Sequence, residues 1–273
     1  MESVEVGGLR IAYERVGSGP PLVLLHGYVG DGRSSWRRQL DGLCDEFTVV
    51  AWDAPGAGGS SDPPESFGMA GYADCLARFL STIGLERAHV AGLSFGGALA
   101  LELHRRHPAI SMTLVLASAY AGWGGSLPAE AARQRLQQAF ALSDLTPGEL
   151  VDALLPTMFS TTVSPESVEA FRAAIRAFHP AGLRAMARAS AEDLRDALPH
   201  VDVPTLLLYG DHDVRAPMTV ARQLHASIRG SNLVVFPGAG HACNIEAPEA
   251  FNDAVRRFLR EASAAHREVP AAP

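Results

Sequence analysis

The spacing of apolar residues along this chain changes character twice. Residues 3 to 16 alternate apolar and polar around a central Gly7-Gly8, which predicts a β-hairpin. After it come short, nearly continuous apolar runs: Leu22–Leu25, Thr48–Trp52, His89–Leu93, Thr113–Ala117, Thr205–Tyr209 and Leu233–Phe236. Strands apolar on both faces, with helical stretches between them, predict a doubly wound α/β fold with a mostly parallel sheet. Between about Tyr120 and His200 no strand pattern appears, and helix-like periodicity covers 128–142, 147–155, 165–178 and 181–191. Thr146-Pro147-Gly148-Glu149 is a capping box with proline at the first helical position, and Ser164-Pro165 opens another helix. An all-helical insertion between two strands of one sheet would cover the strand C-termini as a lid. The expected division is a core of 1–119 and 201–265, a lid of 120–200, and a disordered Ala- and Pro-containing tail at 266–273.

Composition narrows the picture. A chain of 273 residues can bury one large core plus an insertion. With 47% hydrophobic and 19% charged residues it falls among ordinary globular proteins rather than disordered ones. A net charge of -7 argues against nucleic acid or an anionic membrane as partner. The chain has no lysine, which excludes a Schiff-base lysine and a phosphate loop ending in Gly-Lys-Ser/Thr. Genomic composition accounts for that arginine bias. Cys44, Cys75 and Cys243 lack metal-ligand spacing and read as reduced, buried thiols, with no metal or other cofactor implied. The first apolar run follows two strand-like segments, so it reads as a core strand and not a signal peptide. No run approaches the length of a membrane span. A soluble, cytoplasmic protein is expected.

The chemistry concentrates at three strand ends. Gly92-Leu93-Ser94-Phe95-Gly96 lies between a strand and a helix reading as 98–107, and it matches G-x-S-x-G. That turn exposes a serine hydroxyl above the sheet at a helix N-terminus, where negative charge is favoured. A serine hydroxyl is a poor nucleophile at neutral pH and needs a base, which in turn needs an orienting carboxylate. His241 follows the last strand in Pro237-Gly238-Ala239-Gly240-His241. Asp213 follows Thr205–Tyr209 in Gly210-Asp211-His212-Asp213, with Asp211 as the competing acid; Asp-His-Asp alone is weak evidence for a metal. An oxyanion would need two donors, and the N–H groups of Phe95 and Tyr28 are the candidates.

Together Ser94, Asp213 and His241, in that order, with His26-Gly27, Trp52-Asp53-Ala54-Pro55-Gly56-Ala57-Gly58-Gly59-Ser60 and Gly240-His241, resemble the α/β-hydrolase superfamily over nearly the whole chain. The resemblance implies the serine-nucleophile branch and puts the acid at the later position, Asp213. The segment Gly240–Pro248 is similar to that of enol-lactonases and small carboxylesterases. A serine nucleophile argues against haloalkane dehalogenase and epoxide hydrolase chemistry. A single glycine after His26 argues against bulky tertiary esters.

The expected activity is therefore hydrolysis of an ester or lactone through an acyl-enzyme. Three alternatives use the same residues: C–C bond cleavage in a vinylogous diketone, cofactor-free peroxidation, and a ligand receptor or signalling protein that retains the triad. His26, Gly27, Tyr28, Phe95, Trp123, Met158 and Phe159 are the candidate pocket residues. Trp36, Phe140, Phe178 and Met186 divide between pocket and core. His26 and Asp53 read as loop braces, and His89, His104, His107, His179, His200, His212 and His225 as structural. Residues 120–200 mix arginines with carboxylates and show no basic cluster, so the expected partner is a small to medium, largely apolar acyl compound. Monomer and homodimer stay equally open.

Overall fold

A computed structural model describes residues 1–160 and 163–267. The predicted hairpin forms β1 (Glu2–Val6) and β2 (Leu9–Val16), which pair antiparallel. Next come β3 (Pro21–Leu25), α1 (Gly32–Leu43), β4 (Thr48–Trp52), α2 (Gly68–Thr82), β5 (Ala88–Leu93), α3 (Phe95–Arg106) and β6 (Ser111–Ala117). The helical stretch follows as α4 (Gly122–Ser126), α5 (Ala129–Ser143), α6 (Pro147–Leu154), α7 (Pro165–Arg176) and α8 (Pro180–Ser190). The chain then returns to the sheet through β7 (Thr205–Gly210), α9 (Met218–Ser227), β8 (Asn232–Phe236), α10 (Cys243–Glu246) and α11 (Pro248–Arg267).

The eight strands lie in the order β1-β2-β4-β3-β5-β6-β7-β8. Every pairing from β4 to β8 is parallel. Side chains of a strand alternate between faces, so each continuous apolar run feeds two cores. Val23, Leu25, Val50, Trp52 and Val90 point to the face covered by α2 and α3, where Leu76, Phe79, Leu99 and Leu103 meet them. Leu22, Leu24, Val49, Ala51 and Ala91 point to the face covered by α1 and α11, where Trp36, Leu40, Phe251 and Leu259 meet them. Each fully buried Val, Leu or Phe among these stabilises the fold by about 1.5–3 kcal/mol relative to exposure.

This strand order also locates the site. From β3 the chain moves to β4 on one side, then crosses back to place β5 on the other side of β3. The loops leaving β3 and β5 therefore diverge, and a crevice opens outside their C-terminal ends. Those loops carry His26-Gly27-Tyr28 and Ser94.

The helices of the insertion fall within two residues of their expected bounds, and both caps form as expected. Thr146 and Glu149 close a capping box, and the Ser164 hydroxyl accepts from the Ser167 N–H. Helix α4 and short 3-10 turns at Leu155–Thr157 and Arg195–His200 were not expected. The expected tail at 266–273 is corrected at its start: the backbone of α11, which packs against α1, stays helical to Arg267, while 268–273 lie outside the described residues. The thiols also need one correction. Cys75 and Cys243 are buried, but Cys44 is only half-buried, at the C-terminus of α1 where it donates to the Asp41 carbonyl. Among the described residues no helix is long and apolar enough to cross a membrane.

Candidate active site

Ser94 sits at the junction of β5 and α3 with φ 55° and ψ -111°. A non-glycine residue there carries backbone strain. The surroundings enforce it. A Cβ on Gly92 would fall 2.1 Å from the Gly96 carbonyl oxygen, and one on Gly96 would fall 2.1 Å from the Leu25 carbonyl oxygen. Only glycine fits at both flanks, so the turn stays tight and Ser94 projects from it toward the crevice.

His241 and Asp213 meet at the same edge of the sheet. The His241 ring Nδ1 lies 2.9 Å from Asp213 Oδ2, and both side chains are buried. Asp213 Oδ1 accepts the N–H groups of Arg215 and Ala216, each at 2.8 Å. Burial raises the Asp213 pKa, but His241 and these two donors outweigh it, so the group lies below the usual carboxylate range. Asp211 is turned elsewhere and accepts the Gly238 N–H at 2.6 Å. The loop bearing His241 is held from three directions. The Ser118 hydroxyl donates to the His241 carbonyl at 2.9 Å, the Ala242 N–H donates to the Met158 carbonyl at 3.1 Å, and Glu246 accepts the Gly240 and Ser160 N–H groups.

Ser94 and His241 line one cavity of about 10 Å³ together with Gly27, Tyr28, Val29, Leu93, Met158 and Arg215. That is room for about one water molecule. The Ser94 hydroxyl makes no hydrogen bond among the described residues, so its link to His241 is open in this geometry. Such contacts often close only when substrate binds. The backbone N–H groups of Tyr28 and Phe95 also have no protein acceptor among the described residues. A pair of unclaimed donors beside a serine hydroxyl is an arrangement that could hold an oxyanion.

Of the seven pocket residues expected, Gly27, Tyr28 and Met158 reach this cavity, and four do not. The ring of His26 accepts the Ala54 N–H at 2.9 Å and lies 2.6 Å from the Gly27 carbonyl oxygen. It braces two loops, and burial lowers its pKa although Asp53 pulls the other way. The Phe95 ring packs edge-on against Tyr72 at 5.1 Å, leaving only its backbone near Ser94. Trp123 packs behind Tyr28 at 5.7 Å, and Phe159 packs on Phe171 at 5.6 Å. Phe178 and Met186 line a second cavity of about 20 Å³ on the far side of Tyr28 and Val29. Trp36 belongs to the core beneath α11.

Asp53 takes the brace role expected of it, accepting from Gly32 at 2.9 Å and Gly59 at 2.8 Å. Two residues escaped the sequence reading. Ser118 has φ 45° at the end of β6, a position analogous to that of Ser94 on β5. Arg215 lies two residues beyond Asp213, and its place in the chain was the available signal.

A family model described as alpha/beta hydrolase fold matches residues 20–248, and the chain belongs to that family. Among sequence relatives, a putative carbamate hydrolase of Cronobacter turicensis is 31% identical, with 89% of this chain and 92% of the relative covered. Among solved structures, a thermophilic esterase of Thermogutta terrifontis is 31% identical with a TM-score of 0.87, covering 96% of this chain and 99% of the esterase. The enol-lactonase of Burkholderia xenovorans is 27% identical with a TM-score of 0.84, covering 95% of this chain and all (100%) of that one.

Proposed function

We propose that this chain is a serine hydrolase that cleaves an ester or lactone of a small to medium acyl compound through an acyl-enzyme. One juxtaposition carries the reading: a strained serine at a helix N-terminus shares a cavity with a histidine already oriented by a buried carboxylate. The resemblance to an esterase and an enol-lactonase supports it.

In the first half-reaction His241 Nε2 takes the hydroxyl proton as Ser94 Oγ bonds to the acyl carbon. Asp213 stabilises the imidazolium so formed. The N–H groups of Tyr28 and Phe95 hold the oxyanion. Collapse breaks the acyl C–O bond, and His241 returns its proton to the departing alkoxide. In the second half-reaction a water gives its proton to His241, adds to the same carbon, and releases the acid and free Ser94. A cavity with room for one water cannot hold an acyl chain. In this reading residues 120–200 are therefore a lid over the core of 1–119 and 201–265, and its helices separate from the core to admit substrate. The three unpaired cysteines suit a cytoplasmic setting.

The test is a series of 4-nitrophenyl esters from acetate to octanoate, run beside an enol-lactone and a vinylogous diketone. Steady turnover of esters or the lactone is expected, with only residual activity in Ser94→Ala. Full activity in a folded Ser94→Ala protein, or turnover of the diketone alone, overturns the proposal.

A further inference from the structure

The cavity that holds Ser94 and His241 also holds a cation that the reaction above does not use. Arg215 lines it and is half-buried, so its guanidinium is reached both from the cavity and from solvent. Its partners are both neutral hydroxyls: Nη1 donates to Thr157 Oγ1 and Nη2 to the Tyr28 hydroxyl, each at 2.9 Å. The group also lies over the Tyr28 ring, 5.6 Å from its centroid. No carboxylate of the described residues comes within 4.0 Å of it.

Asp213 is the natural counter-ion by sequence, but its two oxygens are committed to His241 and to backbone N–H groups. A second cation stands behind the first. Arg135 donates to the Tyr120 hydroxyl at 2.7 Å and to the Arg215 carbonyl at 3.0 Å, and it too has no carboxylate partner among the described residues. Two guanidinium groups thus share a region with one carboxylate, Asp213, whose charge reaches Arg215 but whose oxygens bond to His241 and to backbone N–H groups.

A guanidinium cannot shed its proton, so Arg215 stays charged at the edge of this cavity, held by two neutral hydroxyls. The Nε–H of Arg215 and one N–H on each Nη have no protein acceptor among the described residues. That fork matches the geometry of a carboxylate. We propose that Arg215 is a specificity residue that receives a carboxylate of the substrate, so that the preferred compound pairs an apolar body with an anionic group near the scissile carbonyl. This inference rests on the ester or lactone hydrolase reading above and adds an anionic group to the largely apolar substrate expected from the sequence.

The experiment compares monoethyl succinate, glutarate and adipate with ethyl esters in which isopropyl replaces the carboxylate. For the glutarate that partner is ethyl 5-methylhexanoate. The readout is the ratio of kcat/KM within each pair, followed by pH-stat. The wild type is expected to favour at least one hemiester by tenfold or more. Arg215→Met is expected to lower that ratio by tenfold or more, chiefly through KM, and Arg215→Lys to retain part of it. A residue that merely supports Tyr28 would affect both members of a pair alike, so an unchanged ratio in Arg215→Met overturns the proposal. A wild-type ratio at or below one across the series overturns it without any variant, which covers a failure of Arg215→Met to fold. Neutral esters turned over with such a ratio leave the hydrolase reading standing. No turnover of either kind, with Ser94 inert to a fluorophosphonate, removes both.

Discussion

Replacing Asp213 with asparagine separates the geometry of the acid from its charge. Asparagine has the same shape but only one acceptor oxygen where the carboxylate has two. That oxygen is claimed by the N–H groups of Arg215 and Ala216, which leaves the side-chain NH2 facing His241 Nδ1 across 2.9 Å. Nδ1 must then accept, the ring proton moves to Nε2, and the face that should take the Ser94 proton carries one already. The stabilisation of the imidazolium is lost as well. Loss of the correct tautomer at such a site lowers kcat by about 10⁴-fold, or roughly 5.5 kcal/mol of transition-state stabilisation. The assay is kcat/KM for 4-nitrophenyl butyrate at pH 7.5, with the melting temperature as a check on folding. Asp211→Asn provides the control, because among the described residues the Asp211 side chain accepts from the Gly238 N–H and not from His241. It should cost less than tenfold. A folded Asp213→Asn protein within tenfold of wild type, or equal losses in the two variants, would refute the assignment.

Three further outcomes follow from the packing around the site and from one surface carboxylate. Gly96→Ala would drive a methyl group into the Leu25 carbonyl, a backbone atom that cannot yield, and should lower stability by about 3 kcal/mol, read as a Tm about 5 °C below wild type. An unchanged Tm would contradict the close approach. Ser118→Ala removes the hydrogen bond to the His241 carbonyl and should cost about 1 kcal/mol in urea melts, with kcat falling several-fold and KM little changed. An unaffected kcat would mean the loop holds its place without it. Asp74 is held at about 2, first by Arg106 and then by His107, against its partial burial. A depressed carboxylate stabilises the fold above its unfolded pKa of about 4 and loses that contribution as pH falls through its folded value. Asp74→Asn should therefore melt below wild type at pH 6 and converge with it near pH 2. An equal gap at both pH values would count against the pairing.

Much of this architecture was legible before folding. Continuous apolar runs identified the buried parallel strands because both faces of this sheet are covered. The order Ser94, Asp213, His241 placed three functional groups at strand ends, where the sheet topology gathers them. Asp211 and Asp213 were harder to separate, since two residues of spacing become a choice of direction only once Gly210 has turned the chain. The aromatic residues of the insertion were the least legible. Trp123 and Phe159 have the composition of pocket residues, yet side-chain packing across helices decides that Met158 reaches the cavity while they stand behind it. Arg215 went unread for a related reason. It stands in the loop after β7, outside the insertion, and only the folded chain shows that it reaches the cavity of Ser94 and His241.

The central claim is that Ser94 is a nucleophile activated by His241. Its most direct test is intact-mass analysis after exposure to a neutral alkyl fluorophosphonate, with peptide mapping of the product. The account predicts a single covalent adduct on Ser94 in the wild type, and none within the same time in folded Ser94→Ala or His241→Ala protein. A folded wild-type protein that stays unmodified, or carries its adduct on another residue, would contradict it.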